Sequence, residues 1–286
     1  MQDFDVDYMQ LDSDNDCVKE INNFLSENTN NHIDNIIITR EDSILKEKYI
    51  SIVNALYIDS EWDNHFTSID PILFHIAPFS PYSTRVAQRI YRLIENEEWN
   101  FTQGATWKCI GIPYKHRKTW LHILLPNEKS GLNQLINIFD TAMLKQCITK
   151  NIPGKMEVMI PVFDIESTIC LNQIFIKLGV TNIFEEDNKQ KNTCNFHKIF
   201  QATKINVNQT GLRQRSPPQC TSEALNEVKK MERKVLNEYD REEWIRMERE
   251  EEPVTFFANY PFLYFITLVN ESVEDLKSVI AMGKYC

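Results

Sequence analysis

A chain of 286 residues is long enough for one large domain or two small ones, and its 42% apolar share, with 16 Phe and 10 Tyr, can bury a sizeable core. A formal charge of −10 argues against a nucleic-acid partner, whose phosphates call for a basic surface, and only seven glycines argue against a glycine-rich phosphate loop. No stretch approaches the ~18 uninterrupted apolar residues of a transmembrane helix, so no membrane span is predicted.

The opening MQDFDVDYMQLDSDND is acidic and lacks the apolar core of a signal peptide. Asp12, Asp14 and Asp16 alternate like the start of a calcium loop. The positions that need Gly and Glu hold Cys17 and Asn23 instead, so calcium is rejected. The same carboxylates suit a helix start, where they meet the positive end of the helix dipole. Val18, Ile21, Phe24 (or Leu25) and Asn28 continue as a helical stripe that ends in the polar pair Asn30-Asn31.

Tyr49–Ile58 is long, β-branched and almost wholly apolar, which predicts a central strand covered on both faces. Ile110–Tyr114 and Trp120–Leu125 predict two strands around the polar turn Lys115–Lys118. Leu132–Ile148 has helical spacing, and Met156–Phe163 alternates like a half-buried strand. Ile169–Leu178 reads as a helix stopped by Gly179. Ile205 and Val207 predict a short strand. Near the end, Phe262–Val269 and Val279–Met282 are strong apolar runs joined by Asn270–Lys277.

The segment from Gln214 to Glu252 is different in kind. Ser216-Pro217-Pro218 blocks helix and ladder alike. Thr221 or Ser222 can then cap a helix running to about Glu252, with Pro253 beyond it. Most of its positions are Glu, Lys or Arg, while Leu225, Val228, Met231, Val235 and Tyr239 form one apolar stripe. Such a charged helix is either a solvated face or a surface that binds a protein partner.

Motifs that would carry chemistry are missing. The cysteines (Cys17, Cys109, Cys147, Cys170, Cys194, Cys220 and Cys286) are odd in number and never spaced C-x-x-C, so neither a zinc site nor a disulfide framework is predicted. The six histidines lack metal-ligand spacing, and neither G-x-S-x-G nor H-E-x-x-H occurs. No catalytic residue, cofactor or metal is therefore assigned. Three N-x-S/T sequences, at Asn100, Asn208 and Asn270, are candidate glycosylation sites.

The apolar segments follow an order that resembles the serpins, a family of serine protease inhibitors. Ile21-Asn-Asn-Phe-Leu-Ser-Glu-Asn-Thr29 with Ile33 is similar to the serpin helix lying across the main sheet. Val53-Asn-Ala-Leu-Tyr57, Trp62 and Phe66 resemble the family's central strand and the turn after it. Pro113-Tyr114-Lys115 and Leu124-Leu-Pro126 match a strand pair, and Pro161-Val-Phe-Asp-Ile-Glu-Ser167 matches P-x-F-x-I-E-S. Leu171, Leu178-Gly-Val180 and Phe184 resemble the next helix. Ile205-Asn-Val-Asn-Gln-Thr-Gly211 resembles the stem of the reactive loop, and Phe257-Ala-Asn-Tyr-Pro-Phe262 with Met282-Gly283 the two C-terminal signatures.

This resemblance implies an α+β fold of mixed β-sheets with surrounding helices, lacking the family's N-terminal helices. It implies one partial domain over 1–286, with 212–253 as an atypical insertion in the reactive loop. The chain is then expected to be a fragment, or to pair with something that covers its open faces. It also implies a serine-type endopeptidase inhibitor with a serine protease as partner, and an extracellular location, although a minority of relatives are intracellular.

In inhibitory serpins the cleaved loop enters the main sheet as a new strand and drags the trapped protease along. Entry requires small side chains after the hinge glycine. The hinge matched here is Asn208, Gln209, Thr210, Gly211, Leu212 and Arg213, followed by Gln214, Arg215 and the two prolines. Buried charge and lost ladder bonds both oppose insertion. The acidic residue expected before the glycine is also missing, with Gln209 and Thr210 in its place. Arg241, Arg246 and Arg249 are candidates for the cleaved bond, since Arg213 and Arg215 come too early in the loop. The alternative is a non-inhibitory interaction protein that uses the charged helix 222–252.

Overall fold

The computed structural model describes residues 14–33, 49–58, 60–76, 83–95, 97–184, 195–211 and 253–286. Within these limits the chain divides into two compact units, Met1–Ile58 with Asp164–Ile205, and Asp59–Phe163 with Asn206–Cys286.

The first unit is a helix on a small sheet. Helix α1 spans Asp14–Asn28 and is followed by strand β1, Tyr49–Ile58. Ile21, Leu25 and Ile33 bury their side chains against Phe200 and Ala202, with Val53, Ala55 and Tyr57 beside them. Each such aliphatic side chain contributes about 1.5–3 kcal/mol when fully buried. The helix ends where Asn30 and Asn31 take positive φ (49° and 60°), a conformation asparagine tolerates better than most residues. Thr29 ties down the exit: its hydroxyl donates to the Leu25 carbonyl (2.6 Å) and accepts from the Ile33 amide (3.0 Å).

Strand β8 (Phe163–Cys170), helix α4 (Asn172–Lys177) and strand β9 (Asn195–Val207) complete this unit. Its sheet has the order β1-β9-β8, with β1 and β9 parallel from Tyr49↔Asn195 to Ile58↔Ile205. Three expectations change here. Among the described residues β1 is an edge strand, not a central one, and Ile50 and Ile52 are 41% and 39% exposed. The strand around Ile205 and Val207 is 13 residues long, not short. The helix predicted over Ile169–Leu178 begins only at Asn172, because Ile169 and Cys170 belong to β8. Sheet pairing overrides helical spacing there: the Leu171 amide donates to the Ile199 carbonyl, and the Asn172 side chain accepts from the Ile199 amide and donates to the His197 carbonyl. The predicted stop is present. Gly179 has φ +85°, and the Val180 amide closes onto the Phe175 carbonyl at 2.9 Å.

The second unit contains two sheets. One has the order β10-β7-β3-β2, built from β2 (Ser68–His75), β3 (Thr84–Ile94), β7 (Met156–Pro161) and β10 (Val254–Phe257). The alternation in β7 is real: Met156, Val158 and Ile160 are fully buried while Glu157 and Met159 are half-exposed. The strand stops at Pro161, and Phe163 opens β8.

The other sheet is antiparallel, β12-β11-β6-β5-β4, from β4 (Asn100–Gln103), β5 (Trp107–Pro113), β6 (Thr119–Pro126), β11 (Phe262–Val269) and β12 (Leu276–Tyr285). The β5–β6 turn over Lys115–Lys118 stands as predicted, with His116 and Arg117 at positive φ. Leu132–Ile148 forms two helices, α2 (Leu132–Ile138) and α3 (Thr141–Ile148). Phe139 is extended between them, and the Asp140 carboxylate caps α3 by accepting from the Met143 amide at 2.8 Å. Both helices pack on Trp107, Cys109, Leu124, Leu263 and Phe265. Cys109 and Cys147 are buried free thiols of this core.

Candidate functional site

Strand β9 runs into the stem at Asn208–Gly211, and the chain re-enters described structure at Pro253, just before β10. The stem is clamped onto the segment after β1. The Trp62 amide donates to the Thr210 carbonyl (3.0 Å), and the Phe66 amide donates to the Gln209 carbonyl (3.1 Å). The Trp62 indole nitrogen donates to the Asn208 carbonyl at 2.8 Å. Three chain groups of the stem are thereby satisfied by one short stretch of neighbouring chain.

Asn208 acts as the internal brace. Its side-chain oxygen accepts from the Thr210 amide (2.9 Å), the Gly211 amide (2.9 Å) and the Thr210 hydroxyl (3.2 Å). Its side-chain nitrogen donates to Asn206. The brace turns the chain so that Gly211 sits at φ +90°. A Cβ there would lie 2.4 Å from the Ser60 carbonyl oxygen and 2.8 Å from the Trp62 nitrogen. Glycine is therefore required for two reasons, conformation and space.

Gln209 explains the missing carboxylate. Its side-chain nitrogen donates to the Phe66 carbonyl at 3.0 Å. A glutamate would set acceptor against acceptor at this point.

Below the stem is an aromatic platform. Trp62 stacks on Tyr114 (4.3 Å between centroids, 20°), and Phe66 meets Trp62 and Trp99 edge-on. Trp62, Tyr114 and Trp99 are each 1% exposed. Burial pushes the Tyr114 phenol well above its ordinary pKa, so it stays neutral. Charged pairs fasten the rim. Arg117 bridges Asp63 and Glu98, and Lys115 pairs with Glu61, holding that carboxyl below its ordinary pKa. The Asp63 amide donates to the Pro113 carbonyl (3.0 Å) and the Lys115 amide to the Glu61 carbonyl (2.7 Å). The stem thus rests on a desolvated aromatic base.

The structure unites four of the six residues expected to form a hinge, Asn208, Gln209, Thr210 and Gly211. Leu212 and Arg213, the candidate cleavage residues Arg241, Arg246 and Arg249, and the helix expected over 222–252 lie outside the described residues. The three glycosylation candidates differ in exposure. Asn100 is 2% exposed, with its amide donating to the Cys147 carbonyl and accepting from the Asn151 amide. Asn208 is 4% exposed and committed to the brace. Only Asn270 of the three is exposed. Sequence reasoning passed over Ser60, Asp63 and Arg117, because backbone carbonyls and long-range ion pairs leave no local pattern. Among the described residues no group of His, Cys, Asp and Glu is arranged to hold a metal ion, and no helix is long and apolar enough to cross a membrane.

The whole chain, residues 1–286, matches the family model described as Serpin (serine protease inhibitor). This chain belongs to the serpin family. It is 29% identical over 201 residues to the swinepox virus protein named "Probable serine proteinase inhibitor 1", covering 68% of this chain and 58% of that one. It is 22% identical over 273 residues to Antichymotrypsin-2 of Bombyx mori, covering 92% of this chain and 66% of that one. Uncleaved ovalbumin has the same fold, with a TM-score of 0.68 at 18% identity, over 95% of this chain and 63% of ovalbumin. This serpin thus spans about three-fifths of the length of several proteins it matches. Serpin-fold neighbours agree with the α+β architecture of mixed sheets and few helices.

Proposed function

We propose that this serpin engages serine-type endopeptidases through the segment joining β9 to β10, and does so without the sheet insertion that traps a protease. The family and the swinepox virus relative named a probable serine proteinase inhibitor support the first half.

The second half is carried by one observation: the segment after Gly211 offers charged side chains and two prolines to a sheet in which β9 is already paired on both sides. A strand added beside β9 must break a ladder that β9 already makes, and the β1 ladder alone runs from Tyr49↔Asn195 to Ile58↔Ile205. Opening it requires a strand that restores the lost bonds. In sequence, the candidate strand begins Leu212-Arg-Gln-Arg-Ser-Pro-Pro218. Each proline lacks a ladder donor, and a charge buried unpaired costs several kcal/mol, on the order of 3–5. The clamp on Asn208–Gly211 adds hydrogen bonds that hold the stem in its present turn, each contributing about 0.5–1.5 kcal/mol.

The test mixes the full chain with trypsin-, chymotrypsin- and elastase-like proteases. Cleavage within 212–252 is expected, with no complex surviving a denaturing gel and no gain in melting temperature after cleavage. A covalent complex at the combined mass, or a melting point raised by tens of degrees, would sink the proposal.

A second reading is an interaction protein with no protease target. It is favoured by the composition of 222–252, where one apolar stripe from Leu225 to Tyr239 runs through a segment dominated by Glu, Lys and Arg. Resistance of the segment to every protease tried would favour this reading. The extracellular location implied by the family is included in the proposal.

A further inference from the structure

We propose that the folded, secreted protein carries N-linked sugar at Asn270 and at neither Asn100 nor Asn208, an inference that rests on the extracellular reading above. The three acceptor sequences, Asn100-Phe-Thr102, Asn208-Gln-Thr210 and Asn270-Glu-Ser272, all satisfy the N-x-S/T pattern in the nascent chain. In the transfer, the asparagine side-chain nitrogen attacks C1 of a lipid-pyrophosphate-linked oligosaccharide. The N–C1 bond forms, the C1–O bond to phosphate breaks, the lipid pyrophosphate leaves, and the transferase takes up one amide proton. What separates the three sites is whether the product can fold.

At Asn100 it cannot. The side chain is 2% exposed, its nitrogen donates to the Cys147 carbonyl at 3.0 Å, and its oxygen accepts from the Asn151 amide at 2.8 Å. A sugar on that nitrogen would displace the end of α3 from β4. Asn208 is 4% exposed, and its amide holds Thr210 and Gly211 in the hinge turn while its nitrogen contacts Asn206. A sugar there would break the stem. Leaving buried polar partners unmatched is strongly unfavourable at both positions.

Asn270 presents the opposite case. It is exposed at the start of the turn between β11 and β12, where its nitrogen has one partner, the exposed Asp275 carboxylate at 3.1 Å. The turn is held by other means. Val273 buries itself with Trp120 and Val269, the Asn270 amide donates to the Asp275 carbonyl, and the Asp275 amide to the Ser272 carbonyl (both 3.0 Å). The Lys118 ammonium also donates to the Asn270 carbonyl. A sugar at Asn270 therefore replaces one solvent-exposed side-chain bond and disturbs no core contact.

The experiment expresses the full chain behind a cleavable secretion leader in insect cells. The secreted protein is treated with peptide N-glycosidase in heavy-oxygen water, which marks each formerly glycosylated asparagine by mass. The mark is expected at Asn270 alone, and Asn270→Gln is expected to abolish the mobility shift while leaving the melting temperature unchanged. Secreted protein with a mark at Asn100 or Asn208, or without one at Asn270, overturns the proposal. If little chain is secreted, the same measurement on the protease-resistant fraction of chain imported into microsomes decides between these outcomes. Protease binding does not enter this readout, so its failure and the failure of the inhibitor reading are separately visible.

Discussion

Strand β1 of the three-stranded sheet is as apolar as β6 and β11 of the five-stranded sheet, yet the two sheets bury these strands differently. In β6 and β11 nearly every residue is buried, because each strand has a neighbour on both sides and helices α2 and α3 pack on the sheet. In β1, Ile50 and Ile52 remain about two-fifths exposed. An apolar run therefore reports the propensity to be a strand, while its place in the sheet decides how much that run stabilises.

Core truncation should break this comparison most sharply. Phe265 is fully buried, stacks on His122 at 4.6 Å and meets Phe139 at 6.0 Å. Phe265→Ala is expected to cost about 3–5 kcal/mol in a denaturant titration followed by circular dichroism. Equal losses for Phe265→Ala and Ile52→Ala would remove the distinction between the two sheets.

The next effect is a pH dependence confined to the larger sheet. His122 is fully buried, its Nε2 lies 3.0 Å from the Thr267 hydroxyl, and desolvation lowers its pKa to about 3. The unfolded chain, with a histidine pKa near 6.5, binds the proton first as pH falls. The contribution of His122 is thus fully present above about pH 6.5 and is lost as pH drops from there towards 3. By pH ~4.5 the loss is about 2–3 kcal/mol, at about 1.4 kcal/mol per pH step. His122→Gln should flatten the difference between melts at pH ~7 and pH ~4.5 by that amount. An unchanged slope would show that the imidazole is not the titrating group.

At the hinge, Gly211→Ala introduces a positive-φ alanine and a Cβ in contact with the Ser60 carbonyl. It is expected to cost about 1–3 kcal/mol and to loosen the Trp62 environment, read by tryptophan fluorescence and by amide exchange at Trp62 and Phe66. Gln209→Glu should lose the bond to Phe66 for about 1–3 kcal/mol, whereas Gln209→Ala should cost less, because it leaves no carboxylate facing the carbonyl. A glutamate variant as stable as the wild type would count against the amide's role. Ile52→Ala forms the small end of the series, at about 0.5–1 kcal/mol.

Much of the larger sheet was legible because its strands announce themselves. Trp120–Leu125 and Phe262–Val269 are too apolar for anything but a core. Strands β2 and β3 were not legible. Pro71 interrupts the first, and Arg85, Arg89 and Arg92 dilute the second, so only their pairing with each other, register Ser68↔Tyr91 to His75↔Thr84, makes them strands. The split between α2 and α3 was hidden as well. Phe139 and Asp140 fit a helical pattern, and the break is visible only through the cap on Met143. Within the site, the stem from Ile205 to Gly211 could be recognised by its residue order, but the atoms that hold it could not.

Residue order was enough to establish the family and the succession of most core strands. These rest on residue type and local spacing, which a linear chain carries in full. Only the folded chain reveals that β9 is flanked on both sides, that the Gln209 amide donates to the Phe66 carbonyl, that Gly211 has no room for a side chain, and that Asn100 and Asn208 are shut away while Asn270 is open. Each of those depends on groups far apart in sequence meeting at hydrogen-bond distance, and such meetings are set by packing rather than by any single segment.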